Sequence, residues 1–322
     1  MKINNDNISF LLQGRISLDE TGESLKSIFV LFDNPIVVVA TWSNLRDVGD
    51  LLKINFPSVK FLFLDDPGSE YRKLDPPTLH NVNRIIYSSK IGLDYISSDY
   101  VFKIRADIKI LNKNFINLYI KYYYIDNKSS DTPFKERILI SNQTTIDPKR
   151  GPKLLYHPCD WVAFGLTKDI KLYFDIDFMC HQDHYWYKYN LKPENKIDTD
   201  NFSKYMAEDY IGYTSLRRFY NIQHDFYCDY SDAEIKKWES ILGTIYIVAS
   251  NDEIGIMNLK YKNIHDFHLF KSYTFIRWKR ISSNSVSVIE EVLDRIKYQK
   301  RRFLFFIWKI IHSTKELIKI YV

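Results

Sequence analysis

Cysteine is scarce in this chain. Three residues in 322, Cys159, Cys180 and Cys228, form no CxxC pair and cannot all pair with one another. A disulfide framework is thereby excluded, and free thiols in a reducing, cytoplasmic setting are expected. No P-loop, GxSxG or GxGxxG stretch occurs, which removes the motif-defined phosphate, nucleophile and dinucleotide sites. Met1-Lys2 leads into the polar Asn4-Asn5-Asp6-Asn7, without the apolar segment that opens a secretory signal. The longest unbroken apolar run of the C-terminal tail, Phe303 to Trp308, is far below the ~20 residues that cross a bilayer. His157, Cys159, Cys180, His181 and His184 invite a zinc reading, but zinc needs four converging N or S ligands and HxxH is not a usual pair. Surface histidines are the better reading.

What is present is a globular balance of 45% hydrophobic and 26% charged residues, which excludes wholesale disorder. Aromatic residues reach 16%. Their company of Asn, Lys and Ile points to an AT-rich genome, with carbohydrate-stacking faces accounting for part of the excess. The net charge of +5 is unevenly placed: seven basic residues face only Glu316 from Lys297 onward, so residues 1–296 carry −1. A nearly neutral body argues against nucleic acid as a partner. In the tail, Phe303, Phe306, Ile307, Ile310, Ile311, Leu317, Ile318 and Tyr321 recur at helical spacing among Lys300, Arg301, Arg302, Lys309 and Lys315. This predicts a basic amphipathic helix over 286–322 that lies on an anionic membrane surface. A terminal helix packed on the domain or in a dimer is the alternative.

Ile8–Gly14, the continuous apolar run Ile36–Ala40, Val59–Leu64 and Asp99–Ile104 read as strands separated by helical patterns. A β-α-β-α-β-α-β order predicts a Rossmann-type, mostly parallel sheet with helices on both faces. Such sheets bind ligands at the carboxyl ends of their strands. Gln13-Gly14-Arg15, Thr41-Trp42, Asp65-Asp66 and Arg105-Ala106-Asp107 all fall there. A strand-end carboxylate such as Asp107 suits Mg²⁺ or Mn²⁺ bridging a diphosphate, and Arg105 offers a planar fork to phosphate directly. A helix cap or surface ion pair is the bland alternative. A helix from Asn83-Arg84 presents amide and guanidinium donors, and residues 244–285 read as a strand-rich extension.

The strand ending in Gln13-Gly14, Thr41-Trp42, Asp65-Asp66-Pro67-Gly68, Asn81–Arg84, Phe102–Asp107, Asp160-Trp161 with Gly165, and Ala207-Glu208-Asp209 stand in an order that resembles the WavE family. That family is linked to lipopolysaccharide and capsule synthesis and is similar to GT-A-type glycosyltransferases. The resemblance implies a GT-A-like domain over 1–243, with a donor half to about 110 and an acceptor half beyond it. It implies a nucleotide-sugar donor held by Gln13, Gly14, Arg15, Thr41, Trp42, Asp65, Asp66, Asn83, Arg84, Arg105 and Asp107. It also implies a glycan or glycolipid acceptor; the thiols, the N-terminal segment and the basic tail together lead to the expectation of a cytoplasmic protein on the inner face of the cytoplasmic membrane. Where GT-A enzymes commonly carry DxD, Arg105 replaces the first acid, which leaves Asp107 as the metal ligand or transfers part of the diphosphate charge to Arg105.

Inverting transfer needs a carboxylate to deprotonate the acceptor hydroxyl. Glu208, Asp209 and Asp160 are the candidates, with Trp161 stacking on acceptor sugar. Two other classes remain open at the level of sequence. One is a non-catalytic glycan-binding or assembly protein on a degenerate transferase fold, favoured by Arg105. The other is a nucleic-acid binder using the basic tail.

Overall fold

The computed structural model describes residues 3, 7–74, 77–125, 132–191, 201–261, 266–283 and 285–321. The chain opens with β1 (Ile8–Gln13), α1 (Leu18–Leu31), β2 (Ile36–Trp42), α2 (Arg46–Asn55) and β3 (Lys60–Leu64). A ribbon of β4 (Glu70–Leu74) and β5 (Pro77–His80) precedes α3 (Val82–Asp94), β6 (Tyr100–Arg105), β7 (Ile108–Ile110) and α4 (Asn114–Tyr122). Then come β8 (Ile138–Ser141), β9 (Val162–Leu166), α5 (Thr167–Phe174) and the short helices α6 (His181–His184) and α7 (Trp186–Tyr189). The chain closes with α8 (Ala207–Leu216), α9 (Asp232–Ile245), β10 (Tyr246–Ala249), α10 (Asn251–Ile254), β11 (Ile256–Asn258), α11 (Phe275–Ser283) and α12 (Val288–Tyr321).

Seven strands form one sheet in the order β10-β8-β9-β6-β1-β2-β3. All neighbours pair parallel except β9, which runs antiparallel to both β6 and β8. The expected mostly parallel α/β sheet is therefore present. Continuous apolar runs mark its strands because both faces are covered. On one face, Phe10 and Phe102 meet Phe32, beyond α1, and Phe115 of α4, with ring centroids 4.8 and 4.4 Å apart. On the other lie α3 and α5. There a Cβ at Gly92 would stand 2.4 Å from Leu11 Cδ1, so α3 seats against β1 and β2 only because that atom is missing. Ser17 caps the N-terminus of α1 by accepting from the Glu20 N–H, a helix-start signal carried by Ser17 and the acids after it.

The segment 244–285 corrects the strand-rich expectation. Among its described residues the strands are β10 and β11, and the remainder is mainly α10, α11 and a 3₁₀ turn over 266–271. The aromatic and branched residues that suggested strands serve as a helix face: Trp278 is fully buried, and its indole N–H donates to the Tyr246 carbonyl at 2.7 Å. Nor is this segment an appendage, since β10 forms the sheet edge beside β8.

The amphipathic helix expected at the C-terminus is present as α12. Its first turns are tied to the body: Asp294 accepts from Arg150 at 2.6 Å and from the Thr274 hydroxyl at 2.7 Å, and Lys279 pairs with Glu290. Phe303, Phe306, Ile310 and Ile311 are exposed. The side chains of Lys315, Leu317, Ile318 and Tyr321 lie outside the described residues. Among the described residues, no helix is long and apolar enough to cross a membrane.

Candidate functional site

Strand order reverses at β1: the chain passes outward to β2 and β3, then returns to place β6 on the other flank. The crevice at the carboxyl ends of β1 and β6 is the topological switch point, where such sheets bind ligands. Gln13 and Arg105 are register partners there, and the Ala106 N–H donates to the Gln13 carbonyl at 3.1 Å. Gly14 follows with φ +101°, its N–H bonded to the Ala40 carbonyl, and a Cβ there would meet nothing within 4 Å. The left-handed backbone requires glycine, and the space above it is open. Gln13 is fixed from behind by the Ser88 hydroxyl of α3 at 2.8 Å.

Arg105 and Asp107 are brought together. Arg105 Nη2 stands 2.5 Å from Asp107 Oδ2, while Asp107 Oδ1 is buried with no hydrogen-bond partner among the described residues. The guanidinium lies over Trp161 at 4.5 Å and Tyr261 at 5.3 Å, and those rings stack on each other at 5.4 Å. Trp161 is thus committed to Arg105 and Tyr261. Tyr261 was not singled out in the sequence; the antiparallel pairing of β7 with β11, and the Leu259 N–H on the Asp107 carbonyl, bring it here.

Because β9 runs backwards, the residues before it reach the same edge, and Asp160-Trp161 stand beside Arg105, whose N–H donates to the Trp161 carbonyl. Asp160 is 4% exposed, with Oδ1 unpartnered among the described residues. Burial, and then the neighbouring Glu208 carboxylate, push its carboxyl up to about 6, against the pull of Lys103 and Arg105. Lys103 projects from the middle of β6 into the helix-covered face. It is completely buried, donates to the Asp160 carbonyl oxygen, and is lowered by burial to about 8. A lysine at that strand position reads as solvent-facing in the sequence, so it carried no signal.

Helix α8 supplies Glu208. Its approach depends on Gly212, where a Cβ would fall 2.2 Å from the Tyr156 carbonyl oxygen and 2.6 Å from Pro158 Cδ. Glu208 is partly exposed and its Oε2 lies 3.8 Å from His157 Nε2, whose Nδ1 is held by the Thr144 carbonyl at 2.8 Å. Asp209 points the other way. It is 0% exposed and meets the equally buried His224 at 3.1 Å. Burial raises its carboxyl above the usual range, opposed by His224. An acceptor cannot reach it.

Three of the sequence candidates are held elsewhere by protein contacts. Arg84 grips Asp66 with two hydrogen bonds, at 2.7 and 2.5 Å, which holds the Asp66 carboxyl below its usual range. Asn83 exchanges hydrogen bonds with the Met179 main chain at 3.0 and 2.8 Å. Thr41 is fully buried, with Oγ1 unpartnered among the described residues. Trp42 is buried at the end of β2, and Arg15 and Asp65 are exposed.

The donor set fits a resident metal poorly. Asp107 is a single carboxylate with one oxygen already held by Arg105. Among the described residues no three His, Cys, Asp or Glu side chains are grouped to hold an ion, His181 and His184 included.

No curated protein sequence matches the chain significantly. Among solved structures, S. aureus TarS 1-349 is 13% identical, covering 92% of this chain and 80% of its own, at a TM-score of 0.32. The same protein in complex with UDP-GlcNAc is 12% identical over 90% and 79%, also at 0.32. The inositol-1-phosphate CTP transferase from T. maritima is 11% identical over 74% and 97%, at 0.31. Superpositions this loose assign no residue a role. The match to a family model is of another order, since that model spans residues 8–316: the chain belongs to the WavE family of lipopolysaccharide synthesis.

Proposed function

We propose that this protein is a GT-A-like glycosyltransferase that moves a sugar from a nucleotide-sugar donor to a lipopolysaccharide-type glycan acceptor. The observation that carries the reading is the meeting of two opposed chemistries at one sheet edge. A fixed guanidinium and an open glycine crevice lie at the switch point, with the Asp160 and Glu208 carboxylates beside them. Donor diphosphate lies over Gly14 and against Arg105, whose positive charge stands in for the metal cation that the missing first acid of a DxD would help to hold. An Mg²⁺ or Mn²⁺ arriving with the donor would be held chiefly by Asp107 Oδ1 among the described residues, so diphosphate neutralisation falls mainly to Arg105.

Glu208 is the accessible carboxylate and takes the proton from the acceptor hydroxyl as it attacks the anomeric carbon with inversion. Asp160 lies behind it, its carboxyl raised by burial and by the Glu208 charge. The exposed row of α12, flanked by Arg302 and Lys309, lies on the anionic membrane that carries the acceptor. A non-catalytic glycan-binding role remains the rival, since Arg105 departs from DxD. The two are separated by nucleotide-sugar turnover with purified protein: transfer or hydrolysis lost in Asp107→Ala supports the transferase. Donor binding with no turnover in any metal supports the rival. Full activity in excess EDTA removes the metal.

A further inference from the structure

At the acceptor side of the same sheet edge lies a groove of about 740 Å³ that no part of the proposed mechanism uses. Its floor is the turn after β8 and the start of α10 after β10, and its far wall is α12. The volume falls within the range of small-molecule sites. Leu293, Leu304 and Phe275 give it apolar sides.

Two features make it a built site. Asn142 is 2% exposed, yet its Oδ1 has no hydrogen-bond partner among the described residues, and it lines the groove. A buried carbonyl oxygen left unpaired is costly, and a ligand hydroxyl satisfies it. The second feature is charge. Lys297, Lys300 and Arg301 line the α12 wall, and among the described residues Lys297 and Lys300 have no side-chain partner. Two of the four acids in the lining are neutralised by cations outside it: Glu290 by Lys279, and Asp294 by Arg150. Asp252 and Glu253, the latter held in the Ser250 cap, are left against three cations, so the lining keeps a net positive charge.

The groove is coupled to the candidate catalytic residues. The turn carrying Asn142 continues to Thr144 and Thr145. Thr145 Oγ1 accepts from the Cys159 N–H at 3.0 Å, and the Thr144 carbonyl holds His157. Residues 293, 297, 300 and 304 share one face of α12, while Phe306 and Ile310 point away from it, so the groove and the Phe306–Ile310 row are different faces of one helix.

We propose that this groove binds an anionic sugar of the acceptor glycan, its phosphate or carboxylate at Lys297, Lys300 and Arg301 and a hydroxyl at Asn142. The inference rests on the acceptor being a lipopolysaccharide-type glycan. The probe is deacylated lipopolysaccharide oligosaccharide, intact or stripped of phosphate, titrated calorimetrically into the full chain. Phosphatidylglycerol vesicles and nucleotide-sugar hydrolysis are measured in parallel.

Wild type should bind the phosphorylated fraction roughly tenfold or more tightly than the stripped one, as charge-assisted contacts require. Lys297→Gln/Lys300→Gln should erase that preference, and Asn142→Ala should weaken both fractions alike. Hydrolysis of the donor should be unchanged in the lysine variant. Unaltered glycan affinity in that variant, or loss of vesicle binding alone, overturns the proposal. If groove binding behaves as stated but no variant or wild type turns over a nucleotide sugar, the transferase reading fails and the groove stands.

Discussion

Replacing Gly212 with alanine tests whether α8 really delivers Glu208. The added methyl lies 2.2 Å from the Tyr156 carbonyl oxygen and 2.6 Å from Pro158 Cδ, whereas ordinary contact begins at 3.4 Å. Both obstacles are backbone or ring atoms, so α8 has to withdraw by roughly 1 Å. Alanine favours the helix over glycine by about 1 kcal/mol, but overpacking costs about 1–3 kcal/mol. The net loss is up to ~2 kcal/mol, and a fall of a few degrees in Tm follows for a chain of this size. Catalysis should suffer more, because a misplacement of about 1 Å costs on the order of 10²-fold in rate. Thermal melts followed by circular dichroism, with initial transfer rates at saturating donor, separate the two effects. A Gly212→Ala protein that melts higher and turns over at the wild-type rate refutes the idea that this close approach sets the site.

Glu208→Gln should retain donor binding while losing about 10²–10⁴-fold in transfer; a larger loss in Asp160→Asn reassigns the base. The acid side of the pH–rate profile should lie near 6, because Asp160 must be ionised beside the base and burial holds it up to about 6. The alkaline side should lie near 8, where buried Lys103 gives up its charge, and Lys103→Met should abolish that limb. Loss of α12 residues 297–322 should release the protein from anionic liposomes, read by flotation across salt concentrations. Tyr261→Ala should loosen Arg105 and raise the donor KM more than it lowers kcat.

The parts of the site that could be read in the sequence sit at strand ends. Gln13-Gly14 and Arg105-Asp107 stand out because an apolar run stops at a polar residue, and that boundary alone places them at the edge. Tyr261 and Lys103 were illegible for different reasons. Tyr261 reaches Arg105 through the pairing of β7 with β11, whose partners are nearly 150 residues apart in the chain. Lys103 hides a cation under α5, beside Phe174 at 4.6 Å, where a strand's alternation would place an apolar residue. Asn83, Arg84 and Asp66 had the chemistry of ligand contacts, but nearby protein groups satisfy it first. Asp209 and Glu208 are adjacent letters of one motif, and helix geometry alone sends one to His224 and the other to the edge.

The reversed strand β9 has a consequence for how specificity can change. Its antiparallel pairing with β8 means that the whole connection between them, residues 142–161, leaves and re-enters the sheet at the ligand side. Both ends of that loop meet the site, Asn142 at one and Asp160 at the other. Insertions or deletions between them would reshape the acceptor entrance while every strand pairing stayed in register. Relatives with different sugar targets should therefore differ in the length of this loop sooner than in the strands that bound it.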